Sequence, residues 1–308
     1  MFSNRQRVWG GLFITLILIA VVIATATVGA EPQPIRFAVI GDYGSGDVGA
    51  MQVAALVAGW NPDFVVTVGD NNYPSGAAKT IDKNIGKQYS QFIGNYHGGY
   101  GVGSELNRFW PSIGNHDWKA MSCHKGQCRG PYLDYFTLPG NERYYDVDYG
   151  FLRLWILNSV GAEPDGIAAD SIQAGWLRDG LQQSVACWDI AVMHHAPFSS
   201  GKHGGSKKLQ WPFADWGIDA VLAGHDHTYE RLEAFGIPYY VNGLGGKSRY
   251  GFPSGPDLEE GVESITRYNA NEGALLIEVT PETFVGRFIT VDGVVRDEHH
   301  INQECEVE

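Results

Sequence analysis

The chain has 308 residues, of which 35 are acidic and 22 are basic, giving a formal net charge of −13 at pH 7. This excess of negative charge, without a basic stripe, argues against nucleic acid as a partner. Glycine accounts for 40 of the 308 residues, well above the usual share of about 7 %, so we expect long loops.

The N-terminal 30 residues have the pattern of an export signal. Arg5 and Arg7 precede an uncharged stretch over residues 8–30, which ends in small residues before Glu31. This pattern predicts either a signal peptide cleaved before Glu31 or an uncleaved membrane anchor through residues 8–30. Both alternatives place residues 31–308 outside the cytoplasm as a secreted, periplasmic or otherwise extracytoplasmic protein. A membrane contact is expected only if the segment stays uncleaved.

The remaining residues, 31–308, are long enough for one sizeable hydrophobic core, and we expect a single catalytic domain there. Its four cysteines fit an oxidising compartment. Cys123 and Cys128 lie close together in a polar loop, and Cys187 could reach Cys305 near the C-terminus. Neither pair has the spacing of a zinc finger, which favours disulfides, although the sequence leaves their connectivity open.

Apolar runs and turn residues predict the following elements in chain order. Strands and helices alternate first, with strands at 35–40, 63–68, 109–113, 188–193 and 220–223, helices at 48–60, 77–93, 169–183 and 207–216, and a hairpin of 144–148 with 151–158. Four further strands are predicted at 237–241, 274–279, 284–290 and 294–299. Alternation followed by mostly β-structure predicts two packed sheets with helices outside.

Polar blocks stand at the ends of several of these apolar runs. They are Gly41-Asp42-Tyr43-Gly44, Gly69-Asp70-Asn71-Asn72-Tyr73, Gly114-Asn115-His116-Asp117, Val192-Met193-His194-His195 and Gly224-His225-Asp226-His227. A single Gly-Asp block is most often a turn. A series of strand-then-loop units ending in Asp, Asn or His instead indicates a metal centre at one edge of a sheet.

The complete, ordered set of blocks resembles the calcineurin-like metallophosphoesterases, and among them the small, tartrate-resistant type of purple acid phosphatase. Tyr73 in the second block distinguishes purple acid phosphatases from their relatives. The resemblance implies an α/β fold, a four-layer α/β/β/α sandwich in which two packed mixed sheets are flanked by helices.

The resemblance also implies a pair of metal ions with Asp70 as the carboxylate between them. The first ion would be held by Asp42, Tyr73 and His227, a set of hard anions that suits Fe(III). The second would be held by Asn115, His195 and His225, mostly neutral ligands that suit a divalent ion such as Fe(II), zinc or manganese. His195 is preferred to His194 because Val192-x-x-His195 followed by Ala196-Pro197 matches the family block, and the reverse assignment remains open.

The implied activity is that of an exported acid phosphatase, in which a metal-bound hydroxide attacks a small phosphate monoester. His203, in the loop after His195, is the expected general acid. His116 is a second candidate for contact with substrate, with Asp117 as the carboxylate that orients it. Two alternatives remain: a phosphodiesterase or nucleotide hydrolase of the same superfamily, and a non-catalytic scaffold of this fold. The scaffold is disfavoured because every ligand position is filled.

Overall fold

The computed structural model of the protein describes residues 32–255 and 258–305. The predicted signal or anchor segment therefore lies outside the described residues. Within those residues, no helix has the length and apolar character needed to cross a membrane.

The described residues form strands at every predicted position and at several more. The strands are β1 Ile35–Ile40, β2 Phe64–Thr67, β3 Phe109–Pro111, β4 Ser122–His124, β5 Gln127–Arg129, β6 Tyr145–Asp148, β7 Leu152–Ile156, β8 Trp188–His195, β9 Ala220–Gly224, β10 Tyr229–Ala234, β11 Ile237–Asn242, β12 Val262–Tyr268, β13 Gly273–Val279, β14 Thr283–Thr290 and β15 Val295–Asn302. The α-helices are α1 Val48–Trp60, α2 Ala78–Ile81, α3 Lys87–Tyr89, α4 Asn115–Trp118, α5 Pro131–Tyr135, α6 Ile172–Leu181 and α7 Phe213–Trp216.

Two large mixed sheets organise these strands. One has six strands in the order β15-β14-β13-β1-β2-β3, and the other has seven in the order β12-β10-β11-β9-β8-β7-β6. In the first sheet β1, β2 and β3 run parallel, and in the second β7, β8, β9 and β11 do so. Because the carboxyl ends of parallel strands meet at one edge, the loops after them are brought together.

The main hydrophobic core lies between the two sheets. Tyr229 of β10 stacks on Phe288 of β14 with ring centroids 4.0 Å apart, and Trp188 of β8 packs against Phe284. A second core lies on the other face of the seven-stranded sheet, where α6 and α7 contribute buried residues such as Leu177. Helix α1 packs on the six-stranded sheet against β13. These layers confirm the predicted α/β/β/α sandwich.

Four strands were not predicted, β4, β5, β10 and β12, and the two that belong to the seven-stranded sheet, β10 and β12, were missed because their sequences are not apolar. Strand β10 contains Glu230 and Arg231, both buried, and each charge is paired. Arg231 Nε lies 2.7 Å from Asp297 Oδ2, and Arg267 Nε lies 3.4 Å from Glu230 Oε1. Strand β12, at the edge of its sheet, carries polar residues along both faces.

Two predicted helices are interrupted in the structure. The segment predicted as one helix over 77–93 contains a π-helical turn, Asp82–Gly86, between α2 and α3. There Asp82 accepts hydrogen bonds from the hydroxyls of Tyr96 and Tyr135. The predicted helix over 207–216 divides into a 3-10 turn, Lys207–Leu209, and α7, because Pro212 precedes the second part.

Both predicted disulfides form in the structure. Cys123 and Cys128 join β4 to β5 across five positions, whereas Cys187 and Cys305 are 118 positions apart. The second bond ties the start of β8 in one sheet to the chain after β15 in the other. It therefore closes by far the longer loop.

Removal of the long-range disulfide should cost more stability than removal of the short one. We expect Cys187→Ser with Cys305→Ser to lower the free energy of unfolding by about 2–4 kcal/mol, because cross-linking a longer loop restricts the unfolded chain more. The matched control, Cys123→Ser with Cys128→Ser, should cost less. Urea denaturation of the three proteins would measure both values, and a larger loss in the control would contradict this account.

Candidate metal centre

The loops after β1, β2, β3, β8 and β9 meet, as their blocks predicted. Asp42 and Asp70 are buried there, with 0 % and 2 % of their surfaces exposed. His227 Nε2 lies 3.3 Å from Asp42 Oδ1, and His194 Nε2 lies 3.4 Å from Asp70 Oδ1. Ligand atoms of Asp42, Asp70 and His194 all lie within 4.8 Å of one another.

Asp42, Asp70 and His225, which lie in the loops that meet here, adopt the left-handed backbone conformation, which non-glycine residues rarely populate. The φ angles are 54° for Asp42, 53° for Asp70 and 71° for His225. Hydrogen bonds between the loops hold these turns: the backbone N–H of His225 donates to Asp42 Oδ2 at 2.9 Å, and that of His116 to Asp70 Oδ1 at 2.8 Å. The protein itself therefore fixes where the two carboxylates point.

Two glycines allow the loops to approach this closely. A Cβ atom at Gly114 would collide with the backbone nitrogen and Oδ1 of Asp70. At Gly69, where φ is +87°, a Cβ atom would lie 2.6 Å from Nδ1 of His194. Side chains at either position would push Asp70 or His194 out of the cluster.

Tyr73 lies on the Asp42 side of the cluster. Its hydroxyl donates to Asp42 Oδ1 at 2.9 Å and lies 3.3 Å from His227 Nε2. His227 Nδ1 donates to the carbonyl of Ser248 at 2.6 Å, so in the neutral ring Nε2 carries the free lone pair. Burial and the two carboxylates raise the pKa of Tyr73 far above 10, and a strongly charged cation would have to displace its proton.

The pKa of Asp42 is low despite its burial. Burial alone would raise the pKa of this carboxyl, but a hydrogen bond from His227 in its protonated form and the nearby His194 and His225 lower it to about 2. Asp42 is therefore an anion at neutral and mildly acid pH.

Acceptor atoms converge on the other side of the cluster, around His194. From His194 Nε2, Asn115 Oδ1 is 3.0 Å away and His225 Nδ1 is 3.2 Å away. His194 Nδ1 faces the carbonyl of Val68 at 2.8 Å, so the lone pair of the neutral ring is on Nε2. Lone pairs that face one another in a buried space need a shared proton or a cation between them.

His195 has a different set of contacts. Ser159 Oγ accepts from the backbone N–H groups of His194 and His195 at 3.2 and 2.8 Å, which uses both of its lone pairs. Its hydrogen is then directed to His195 Nδ1 at 3.0 Å, which leaves the ring proton of neutral His195 on Nε2. Burial lowers the pKa of His195 to about 3, so the ring stays neutral.

The two residues expected to contact substrate lie beside the cluster. The ring of His203 is exposed and its centroid is 4.3 Å from that of His225. His116 Nδ1 lies 2.6 Å from the carbonyl of Pro74, and the two rings of His116 and Tyr73 are 4.5 Å apart.

The expectation that Asp117 orients His116 was wrong. Asp117 Oδ2 accepts from Asn71 Nδ2 at 2.8 Å and from the backbone N–H of Gly114 at 2.9 Å, and its Oδ1 accepts from the N–H of Asn72 at 3.0 Å. Asp117 thus fixes the turn that carries Asp70. Burial and the nearby Asp70 raise the pKa of Asp117 to about 7.

Three lysines beside these rings were not predicted from the sequence. Lys119 Nζ is 3.1 Å from His116 Nδ1, Lys247 Nζ is 5.1 Å from the ring centre of Tyr73, and Lys202 Nζ is 4.6 Å from that of Tyr250. Tyr250 in turn stacks on His227 at 4.1 Å. These positive charges favour anions at the mouth of an otherwise acidic protein. They belong to separate loops, so no local pattern pointed to them.

The donor set fits metal ions. It combines buried carboxylates, an amide oxygen and imidazole nitrogens whose other nitrogen is fixed by a backbone carbonyl, which is the usual support for a metal-binding histidine. A second group, His194, His195 and His225, also has ligand atoms within 4.8 Å of one another. Cations would compensate the two carboxylates and fill the space between the converging lone pairs.

Comparisons with known proteins agree with this geometry. Residues 35–229 match the family model described as calcineurin-like phosphoesterase. The chain is 27 % identical over 243 residues to purple acid phosphatase 17 of Arabidopsis thaliana, covering 70 % of this chain and 69 % of the relative. It is 23 % identical over 313 residues to tartrate-resistant acid phosphatase type 5 of Oryctolagus cuniculus, covering 86 % and 90 %.

Among solved structures, purple acid phosphatase PPD1 from yellow lupin, Lupinus luteus, superposes with a TM-score of 0.70 at 19 % identity. The match covers 88 % of this chain and 54 % of that chain. At this level of identity the likeness shows a shared fold.

Metal ions should stabilise the protein through Asp70. We expect Zn²⁺ or Mn²⁺ at 100 times its dissociation constant to stabilise metal-free protein by about 2.7 kcal/mol, seen as a rise in melting temperature. Metal-free Asp70→Asn should melt no lower than the metal-free wild type, because repulsion from Asp42 is relieved, but should gain little from the ions. The control Asp134→Asn, at an exposed position, should gain as much as the wild type. An equal rise in melting temperature for all three proteins would contradict the assignment of Asp70 as a metal ligand.

Proposed function

The chain belongs to the calcineurin-like phosphoesterase family, and from this premise we propose that it is an exported acid phosphatase of the purple acid phosphatase type, acting on small phosphate monoesters. The observation that carries the proposal is the buried cluster of Asp42 and Asp70, with the Tyr73 hydroxyl on Asp42. The two disulfides support export, because such bonds persist in oxidising compartments.

Two metal ions would share Asp70 in this enzyme. Asp42, Tyr73 and His227 would hold Fe(III), since anionic oxygen ligands suit that ion. Asn115, His225 and a third residue would hold a divalent ion, Fe(II), zinc or manganese. When bound, the ions would orient the phosphate and lower the pKa of a water molecule near it.

We propose His194 as that third residue, in place of the His195 preferred from the sequence. The lone pair of His194 Nε2 faces Asn115 Oδ1 and Asp70 Oδ1, whereas His195 Nδ1 is engaged by Ser159. His195 would then not bind the metal and would instead pack against the ring of His225, with ring centroids 4.4 Å apart.

The side chains around the cluster would act on the ester itself. His203 would donate a proton to the leaving oxygen as the bond to phosphorus breaks. His116 and Lys119, whose side chains contact one another, would bind the phosphate oxygens. Lys202 and Lys247 would attract the anion to the mouth of the site.

Rates on different esters test the proposed function. The metal-loaded protein should release phosphate from a monoester such as 4-nitrophenyl phosphate far faster than it cleaves bis(4-nitrophenyl) phosphate. Asp70→Asn should lose activity by orders of magnitude. Preference for the diester would favour the phosphodiesterase alternative, and the absence of turnover on both substrates would favour a scaffold.

The colour of the protein tests the Fe(III) assignment. A phenolate bound to Fe(III) absorbs visible light by charge transfer, and only a strongly charged ion displaces the proton of a phenol whose free pKa is about 10. We expect the aerobic, iron-loaded protein to be violet to pink and Tyr73→Phe to lose that colour while it keeps its far-ultraviolet circular dichroism. An active but colourless wild type with two divalent ions would contradict the assignment as a purple acid phosphatase. It would still agree with the assignment as a phosphoesterase.

The leaving group tests the role of His203. We expect His203→Ala to keep both metals and to slow alkyl phosphates by about 10²-fold or more, because alkoxides need a proton to leave. Aryl phosphates leave as stabilised anions and should be slowed less. Equal losses on both classes would indicate that His203 only binds substrate.

A further inference from the structure

Asp226 stands between two residues assigned to the metal centre, His225 and His227, but its side chain has other partners. It is 1 % exposed. Its Oδ2 accepts from Ser199 Oγ at 2.7 Å, and its Oδ1 accepts from the backbone N–H of His203 at 2.8 Å. The carboxylate therefore contacts both ends of the segment 199–203, whose last residue is the proposed proton donor.

The segment is closely fitted to this carboxylate. A Cβ atom at Gly201 would lie 2.5 Å from Cγ of Asp226, so the chain passes directly over the carboxyl group. The backbone N–H of Gly201 also donates to Ser199 Oγ at 2.9 Å. These contacts join Ser199, Gly201 and His203 into one turn around Asp226.

A separate carboxylate holds the middle of the same segment. Glu230, which is fully buried, accepts from the backbone N–H of Ser200 at 2.8 Å and from the Ser200 hydroxyl. It also accepts from Ser264 Oγ at 2.5 Å. Since Glu230 anchors the segment at Ser200, loss of the Asp226 contact should release its His203 end without releasing the whole segment.

The ring of His203 has few contacts of its own. It is exposed, and its neighbours are the rings of His225 at 4.3 Å and Tyr250 at 5.5 Å. The chain beyond it continues through Gly204, whose φ is +69° and where a Cβ atom would have no neighbour within 4 Å, so this glycine adds little restraint. The hydrogen bond from the His203 N–H to Asp226 is thus the main contact that fixes the backbone of this residue.

We propose that Asp226 is a positioning residue: by accepting hydrogen bonds from the His203 N–H and Ser199 Oγ, it holds the His203 ring where it can protonate the leaving group. This inference rests on the proposed phosphatase function. Because Asp226 lies between His225 and His227, one short segment sets the position of the metal-binding histidines and of the proton donor together. Misplacement of such a donor by a small distance is costly, since proton transfer requires hydrogen-bond contact.

A double-mutant cycle separates this role from a structural one. Asp226→Asn keeps the size of the side chain but leaves one acceptor oxygen for two donors. In the metal-loaded protein we expect it to lower kcat on glycerol phosphate by about 10-fold or more, with KM little changed and a smaller loss on 4-nitrophenyl phosphate. In the His203→Ala background the same substitution should change kcat by less than about 2-fold, because coupled residues are not additive.

Gly201→Ala is the second variant, since it displaces the segment from Asp226 while the carboxylate is retained. It should give the same selective loss on glycerol phosphate and the same lack of effect in the His203→Ala background. Lys208→Gln, at an exposed position outside the segment, is the matched control and should keep wild-type kcat on both esters.

Equal losses in the presence and absence of His203, or equal losses on the two esters, would overturn the positioning role while the proposed function stands. A wild type that hydrolyses neither ester would overturn the proposed function and this inference with it. Metal content and melting temperature of each variant, measured beside the rates, identify losses caused by a damaged centre.

Discussion

The burial of two carboxylates side by side is the constraint on which the rest of this structure depends. Asp42 and Asp70 each have ligand oxygens in one buried space shared with His194. At a separation of about 5 Å, two like charges repel by roughly 3 kcal/mol at an effective dielectric constant of about 20. Such a pair persists only if the surroundings hold both groups and supply positive charge.

Both sheets supply residues to the cluster around the two carboxylates. The six-stranded sheet delivers Asp42, Asp70 and Asn115 from the ends of adjacent parallel strands, and the seven-stranded sheet delivers the histidines from β8 and β9. Left-handed turns at Asp42, Asp70 and His225 let the chain change direction within three residues of a strand end. The strain of these turns is offset by hydrogen bonds from backbone N–H groups to the carboxylates themselves, so the loops and the cluster stabilise one another.

Much of the fold and of the candidate site was predictable from the sequence, and the features that were not predicted have physical causes. Polar blocks after apolar runs predicted the meeting of the loops, because the direction of parallel strands dictates it. The choice between His194 and His195 was not predictable, since β8 is buried on both faces and apolar alternation gives no sign of which histidine faces the cluster. Strand β10 was missed because buried ion pairs at Glu230 and Arg231 make it resemble a surface segment. The role of Asp226 depends on a contact across 23 positions, which no local motif encodes.

Anomalous X-ray diffraction from crystals of the iron- and zinc-loaded protein tests the central claim most directly. Two peaks are expected, one contacted by Asp42, Tyr73 and His227 and rich in iron, the other by Asn115, His194 and His225, with Asp70 in contact with both. Data on either side of the iron and zinc absorption edges would assign each peak. A single peak, or two peaks that Asp70 does not join, would contradict the account, and contact by His195 in place of His194 would return the second site to the ligand preferred from the sequence.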